Sequence, residues 1–157
     1  MTLAHTLAPL MLATATLAQA APFMLISDDE AQREATAAAQ APPRPRSMPL
    51  PPRPAPAIEV LAPVPEGAAV SSPLRLEIAF KAPADARIVP AGFRLRYGVL
   101  KIDLTERLQR HARLNEAGVL IEEAAVPQGT HRVIVRVADD KGRIAERELM
   151  IRVSATR

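Results

Sequence analysis

Short segments in which apolar and polar residues alternate constrain the fold of this 157-residue chain more than any other feature. They recur between residues 58 and 153, and turn residues such as Pro, Gly and Asp separate them. A period of two predicts strands that bury one face. The predicted strands span residues 58–61, 74–80, 93–97, 99–104, 119–121, 131–138 and 143–153. About seven strands without long intervening helices predict an all-β fold of two packed antiparallel sheets.

Two intervals between these strands are less regular. Residues 83–92 contain turn-favouring residues and are predicted to form a long connection. Residues 105–114 allow two interpretations. Leu104, Leu108 and Ala112 are spaced for one or two helical turns, whereas a loop followed by a short strand fits the same stretch. The side chains predicted to face the core most clearly are Leu74, Leu76, Ile78, Phe80, Leu149, Ile151 and Val153.

Two turn segments near the C-terminus carry a resemblance to a known class of domain. Val-Pro-Gln-Gly-Thr-His at 126–131 precedes the penultimate strand, and Asp-Asp-Lys-Gly-Arg at 139–143 precedes the last. Residues 72–80 and 102–105 are loosely similar elements. On these segments the block 58–154 resembles the bacterial immunoglobulin-like or fibronectin III-like domains of exported proteins. The resemblance implies a single immunoglobulin-like antiparallel β-sandwich of about seven strands, occupying residues 58–157.

The resemblance implies little about activity, because such domains host many roles. It is also incomplete. The chain has no cysteine and no tryptophan, so it lacks the disulfide and the tryptophan of antibody-type domains. Any relation to those domains is architectural only.

Residues 1–20 have features of a signal peptide. An apolar stretch over 7–17 is followed by Ala18-Gln19-Ala20, the small-x-small pattern that signal peptidase accepts. Cleavage after Ala20 would place the mature protein in the periplasm or outside the cell. No Lys or Arg lies near the start, which is atypical. An uncleaved membrane anchor over 7–26 is therefore the second interpretation, and a cytosolic protein the third.

Residues 21–41 are predicted to be a short helical or disordered segment. Ser27 and Glu30 fit the S-x-x-E capping box, and an Ala-rich run to Gln40 favours a helix. Residues 23–26 precede it as an apolar tetrad that is expected to be exposed. The favoured interpretation is a marginal helix that frays in solution. The alternative is a docking segment for a partner or for the protein's own surface.

Residues 42–57 form a proline-rich linker, with eight prolines between 42 and 56. Such a composition favours polyproline II, which rises ~3.1 Å per residue, so the stretch would reach ~45 Å. We expect it to hold the sandwich away from the N-terminal segment. The alternative is a ligand for an aromatic groove, since a PxxP spacing occurs at 49–52.

No motif in the sequence indicates catalysis or metal binding. His111 and His131 are the only histidines after residue 20. His111 is expected to be solvated, and His131 is expected to be a partly exposed strand residue without a nucleophile nearby. Asp139 and Asp140 lack the spacing of a calcium loop, so ordinary turn chemistry is the better interpretation. We therefore expect a protein that is not an enzyme and has no catalytic residue, metal or cofactor.

One predicted surface is basic. The alternation in three strands places five arginines on the outer face of one sheet, with Ile134 and Met150 among them. These candidate binding residues are Arg94, Arg96, Arg132, Arg136 and Arg152. The functional interpretation is a docking face for an acidic protein, a polyanionic glycan or an anionic membrane. The alternative is a solvated sheet that Glu148 and nearby carboxylates neutralise.

The sequence favours a non-catalytic exported protein that acts as an interaction or structural module in the bacterial cell envelope, with a protein partner there. The alternative is an accessory domain that binds an anionic polymer through the arginines. A net charge of +3 is weak support for nucleic acid, and none is expected as a partner. Membrane contact is expected only if the N-terminal segment is uncleaved.

Overall fold

The computed structural model describes residues 23–43, 54–63 and 68–155. The predicted signal peptide and most of the proline-rich linker lie outside these residues. The elements in chain order are β1 (Phe23–Met24), α1 (Asp28–Gln40), β2 (Ala57–Ala62), β3 (Ala69–Val70), β4 (Leu74–Lys81), β5 (Ile88–Tyr97), β6 (Ile102–Asp103), α2 (Thr105–Gln109), β7 (Arg113–Asn115), β8 (Gly118–Ala125), β9 (Gly129–Asp139) and β10 (Ile144–Val153).

The strands form two sheets, as the alternation predicts for an all-β chain. The first sheet has the order β1-β8-β4-β2, with β7 also paired to β8, and the second has the order β3-β10-β9-β5-β6. All pairings between the long strands are antiparallel. The short strands β1 and β3 pair in parallel with β8 and β10. The chain therefore passes from the first sheet to the second between β2 and β3.

The core consists of the inward-facing residues of both sheets. Along β4 the predicted alternation is confirmed, because Leu74, Leu76, Ile78 and Phe80 are buried. The inward side chains predicted for β10 are buried as well. Full burial of one such aliphatic side chain contributes about 1.5–3 kcal/mol. Phe80 packs against Phe93 of the other sheet, with ring centroids 5.8 Å apart, so the aromatic side chains join the two sheets.

Several predicted boundaries are wrong, and β8, for example, runs to Ala125 instead of ending at residue 121. β5 begins at Ile88, so half of the predicted connection 83–92 is strand. A register shift between Val89 and Arg94 interrupts its pairing with β9, and Gly92 lies in that irregular part. Half of the run 99–104 is turn, and only the two-residue strand β6 forms there. The open interval 105–114 contains both elements that were considered, a turn of helix in α2 and the short strand β7.

The largest departure from expectation is the placement of residues 23–40, which we call the strap. The capping box is confirmed, since Ser27 Oγ accepts from the N–H of Glu30 and Ser27 N–H donates to Glu30 Oε2. However, the helix does not lie apart from the rest. Leu25 and Ile26 have 0% exposure, so the expectation of an exposed apolar tetrad is wrong for both. The alternative, docking on the protein's own surface, describes the structure.

This placement also changes the interpretation of the linker. Residues 41–43 continue from α1, and residues 54–56 lead into β2. Both ends therefore belong to one packed unit, which we divide into the strap and the body, residues 57–153. Residues 23–40 are therefore not held away from the body, since Glu30 and Glu34 are hydrogen-bonded to it.

Candidate binding surface and strap junction

The five candidate arginines share the outer face of the second sheet, which we call the arginine face. Cross-strand partners lie on the same face of a sheet. Arg94 of β5 is opposite Arg136 of β9, which is opposite Glu146 of β10. In the same sheet Arg132 is opposite Met150, and Arg152 is opposite Thr130. The strands thus bring together residues that are up to 58 positions apart in the sequence, from Arg94 to Arg152.

Three of these arginines have local partners. Arg132 Nε lies 2.7 Å from Glu148 Oε1, and Arg136 Nε lies 3.9 Å from Glu146 Oε1. The Arg132 Nε contact lacks hydrogen-bond geometry, so it is an electrostatic contact. The guanidinium of Arg94 donates to the backbone carbonyls of residues 91 and 93 at 2.9 and 2.6 Å. The two glutamates offset part of the positive charge, and the hydrogen bonds of Arg94 hold its guanidinium against the backbone of β5.

Arg96 and Arg152 differ from the other three. Neither makes a hydrogen bond or ion pair with another residue that the structure describes. Arg96 is opposite Asp103 on one side and Ile134 on the other. Hydrogen bonds from Thr105 lower the pKa of Asp103, and the charges of Arg94 and Arg96 add to that effect. The arginine face therefore carries five cations and three facing carboxylates, at Asp103, Glu146 and Glu148.

Apolar side chains interrupt these charges. Ile134 is half-buried between Arg96 and Glu148, and Met150 is 47% exposed beside Arg132. Arginine and methionine are both enriched in protein–protein interfaces. Here both residue types are carried by the strands of one sheet. The face is neither uniformly basic nor fully neutralised.

A second group of polar contacts, which we call the strap junction, holds the strap on the body. It consists of Glu30 with Arg107, and Glu34 with the N–H groups of Val99 and Leu100. Arg107 of α2 grips the Glu30 carboxylate with both terminal nitrogens, Nη1 to Oε2 at 2.7 Å and Nη2 to Oε1 at 2.8 Å. Its Nη1 also donates to the carbonyl of Leu25 at 3.0 Å. Glu30 is 6% exposed. The hydrogen bonds from Arg107 lower the pKa of Glu30 to about 2, despite the opposing effect of burial.

Glu34, one helical turn further along α1, makes the other polar link. Its Oε1 accepts from the N–H of Val99 at 2.5 Å, and its Oε2 accepts from the N–H of Leu100 at 3.1 Å. Gly98, at φ +70°, begins this turn. A Cβ at Gly98 would lie 1.8 Å from Glu34 Cδ, so the absence of a side chain creates the space for the carboxylate.

A buried tyrosine–histidine pair lies beside this junction. His131 lies in a strand as expected, but the expected partial exposure is wrong, because only 3% of it is exposed. Its Nε2 lies 2.8 Å from the Pro127 carbonyl, which can only accept, so Nε2 carries the proton in the neutral ring. The Tyr97 hydroxyl, 3.0 Å from Nδ1, then donates. Burial lowers the pKa of His131, whereas burial together with Glu34 and Glu30 raises the pKa of Tyr97 to about 12.

The pair forms part of a cleft of about 500 Å³ between α1 and the first half of β9. Alanines of α1 line one wall, and Thr130, Arg132 and Met150 line the other, so the cleft opens beside the arginine face. Both ring nitrogens of His131 are already hydrogen-bonded. His111 is exposed, as expected, and stacks on Phe23 at 4.0 Å. Within 23–43, 54–63 and 68–155 no three acidic or histidine side chains group to hold a metal.

Sequence reasoning identified Glu30 only as part of the capping box, and it missed Glu34, Arg107 and Tyr97. The signal available was the i,i+4 spacing of Glu30 and Glu34, which puts both carboxylates on one helix face. Neither of the two helices in the described part of the chain has the length and apolar character of a membrane span. The chain matches no protein-family model and no curated protein.

Proposed function

We propose that this chain is a non-catalytic binding module of the bacterial cell envelope, exported by a cleaved signal peptide, and that its arginine face docks a protein partner. An immunoglobulin-like sandwich is part of the proposal. The strand orders β2-β4-β8 and β3-β10-β9-β5-β6 support it. The long strands pair antiparallel within two packed sheets, and β2 and β3, which follow each other in the chain, belong to different sheets.

The observation that carries the proposal is the composition of the arginine face. Arg96 and Arg152 lie on strands beside Ile134 and the exposed Met150, and Arg132 and Arg136 each lie near a glutamate. A partner with acidic groups around an apolar contact would match this pattern.

A second candidate function is binding of an anionic polymer such as a polyanionic glycan. The excess of five cations over three carboxylates on the face favours it. The two functions differ in their salt dependence. Polymer binding rests on charge and weakens steeply with added salt, whereas a protein interface with a buried apolar centre weakens less.

The test is charge reversal on the arginine face with a matched control on the opposite sheet. Arg96→Glu combined with Arg152→Glu changes the charge by the same amount as Arg75→Glu combined with Lys81→Glu. The control residues lie on β4, in exposed pairs with Glu77, Glu122 and Glu59. Tagged full-length variants are cross-linked in the native envelope, and the partners are quantified by mass spectrometry.

We expect a stoichiometric partner of the parent chain to be lost from the Arg96/Arg152 variant and kept by the Arg75/Lys81 variant. Equal recovery with both variants would rule out the arginine face as the docking site. If no protein is recovered, binding to heparin, used as a soluble polyanion, is titrated against salt to test the second function. Export is tested by the intact mass of the protein recovered from its native host. A chain that begins at Met1 and is found in the cytosol would contradict export.

A further inference from the structure

The body binds the strap through three separate sets of contacts. Arg107 receives the carboxylate of Glu30, and the N–H groups of Val99 and Leu100 receive that of Glu34. Between them the core encloses Leu25 and Ile26, and the edge of β8 pairs with β1. All three sets are non-covalent contacts across one surface, which forms the site for the strap.

We propose that this site also accepts the strap of a second copy of the chain, so that two chains exchange straps and form a reciprocal dimer. The proposal does not rest on the proposed function. A partner must present two aliphatic residues, a capped helix start and glutamates four residues apart on one helix face. A second copy meets these requirements because its strap is the segment that the site already fits.

The connection between strap and body has the length that exchange requires. Fifteen residues with eight prolines, from 42 to 56, favour an extended chain of up to ~45 Å. A folded unit of this size has a radius of gyration of roughly 14 Å, so such a chain can reach beyond its own body.

The stoichiometry and concentration range follow from the same contacts. Each body offers one site and each chain one strap, so mutual exchange closes at two chains. The strap makes the same contacts whether it docks on its own body or on that of a second chain. The linker therefore sets the equilibrium between the monomer and the exchanged dimer. Linkers of this length correspond to an effective concentration of about 1 mM, and the exchanged dimer should become populated as the protein approaches that concentration.

The test uses the fact that the chain contains no cysteine. Met24 and Ala125 are direct partners across the β1–β8 pairing, and neighbouring strands are spaced within the Cα–Cα range that a disulfide can bridge. Full-length Met24→Cys is mixed with tagged full-length Ala125→Cys and oxidised, first at about 1 mM and then after hundredfold dilution. The matched control replaces Ala125→Cys by Ile144→Cys, an exposed position away from the strap site. The double variant Met24→Cys/Ala125→Cys checks that the pair can close within one chain.

Strap exchange predicts a disulfide-linked heterodimer that exceeds the Ile144→Cys control about tenfold at the higher concentration and falls on dilution. A heterodimer no more abundant than the control overturns the proposal, even if the chain dimerises by another surface. Sedimentation equilibrium of the unmodified chain is independent of the disulfide geometry. A strictly monomeric chain at about 1 mM overturns the proposal whatever the cross-linking gives.

Discussion

The carboxylate of Glu34 occupies the position in which a side chain on Gly98 would lie. The two residues are 64 positions apart in the sequence, yet a Cβ at Gly98 would fall 1.8 Å from Glu34 Cδ. Gly98 thereby serves two purposes, because it also adopts φ +70° at the start of the turn whose N–H groups bind Glu34. The strap and the body are fitted to each other at this point.

Replacing Gly98 by Ala should therefore destabilise the protein more than the backbone conformation alone explains. The left-handed conformation costs about 1–2 kcal/mol for a residue with a Cβ. Displacing Glu34 would also leave two N–H groups without their partner, at about 1–3 kcal/mol each. We expect a loss of about 3 kcal/mol or more in the free energy of unfolding, measured by urea denaturation followed by circular dichroism.

Gly142→Ala is the matched control, since Gly142 has φ +74° with no atom within 4 Å of the added Cβ. It should show only the conformational cost of about 1–2 kcal/mol. Glu34→Ala combined with Gly98→Ala should cost less than the sum of the single changes, because the clash disappears. Equal losses for the two glycine variants would show that Glu34 does not fill that space in solution.

Removing Arg107 should have a large effect because it takes away the cation that faces a buried carboxylate and leaves only the hydrogen bonds from Ser27 to Glu30. Glu30 is buried, and Arg107 is its bidentate partner. Loss of one partner of a fully buried pair costs about 3–5 kcal/mol; the Arg107 side chain is 38% exposed, so water reaches part of this pair and the lower end of that range applies. We expect Arg107→Ala to lower the free energy of unfolding by about this amount, or to release the strap, which protection of the Leu25 and Ile26 amides in hydrogen exchange would detect.

The control for this prediction is the Asp29–Arg33 pair of the same helix. It is also close, at 2.5 Å, but its side chains are 61% and 76% exposed. Exposed pairs contribute about 0–1 kcal/mol, so Arg33→Ala should change stability little. Similar losses in both variants would mean that burial does not distinguish the two pairs.

Features that depend on residues close together in the chain could be predicted from the sequence. The capping box at Ser27 and Glu30 was predictable because its residues are three positions apart and its chemistry is local. The buried faces of β4 and β10 were predictable because alternation encodes one-sided burial. The shared face of the five arginines followed from the same alternation.

The docking of the strap was not predictable in this way. Its contacts join Glu30 to Arg107 and Glu34 to Val99, and nothing in the local sequence of either partner records the other. The favourable burial of Leu25 and Ile26 outweighs the weak intrinsic stability of a short helix, which helix propensity alone does not reveal. His131 was misjudged similarly, since its partner Tyr97 lies on a different strand.

The strap junction should be sensitive to acid. The pKa of Glu30 is 4.5 in the absence of structure and about 2 in the folded chain. The folded state therefore binds fewer protons, and the stabilisation is complete above pH 4.5 and lost as the pH falls towards 2. The shift corresponds to about 3 kcal/mol. The difference in stability between the parent chain and Glu30→Gln, from urea denaturation, should shrink as the pH falls from 6 towards 2. A constant difference would contradict a charged Glu30 held by Arg107.

The tyrosine–histidine pair should respond to pH in a higher range. Burial lowers the pKa of His131 from 6.5, so below pH 6.5 the unfolded chain binds the proton more readily than the folded one. Stability should accordingly fall as the pH drops from 6.5 towards the lowered pKa. Proton NMR of the His131 ring, assigned with a His111→Ala variant, should give a titration midpoint below 6.5. Tyr97→Phe should also cost about 1–3 kcal/mol, because it leaves His131 Nδ1 buried without its donor. A midpoint at or above 6.5 would mean that the ring reaches water or a carboxylate, which is incompatible with the enclosed pair.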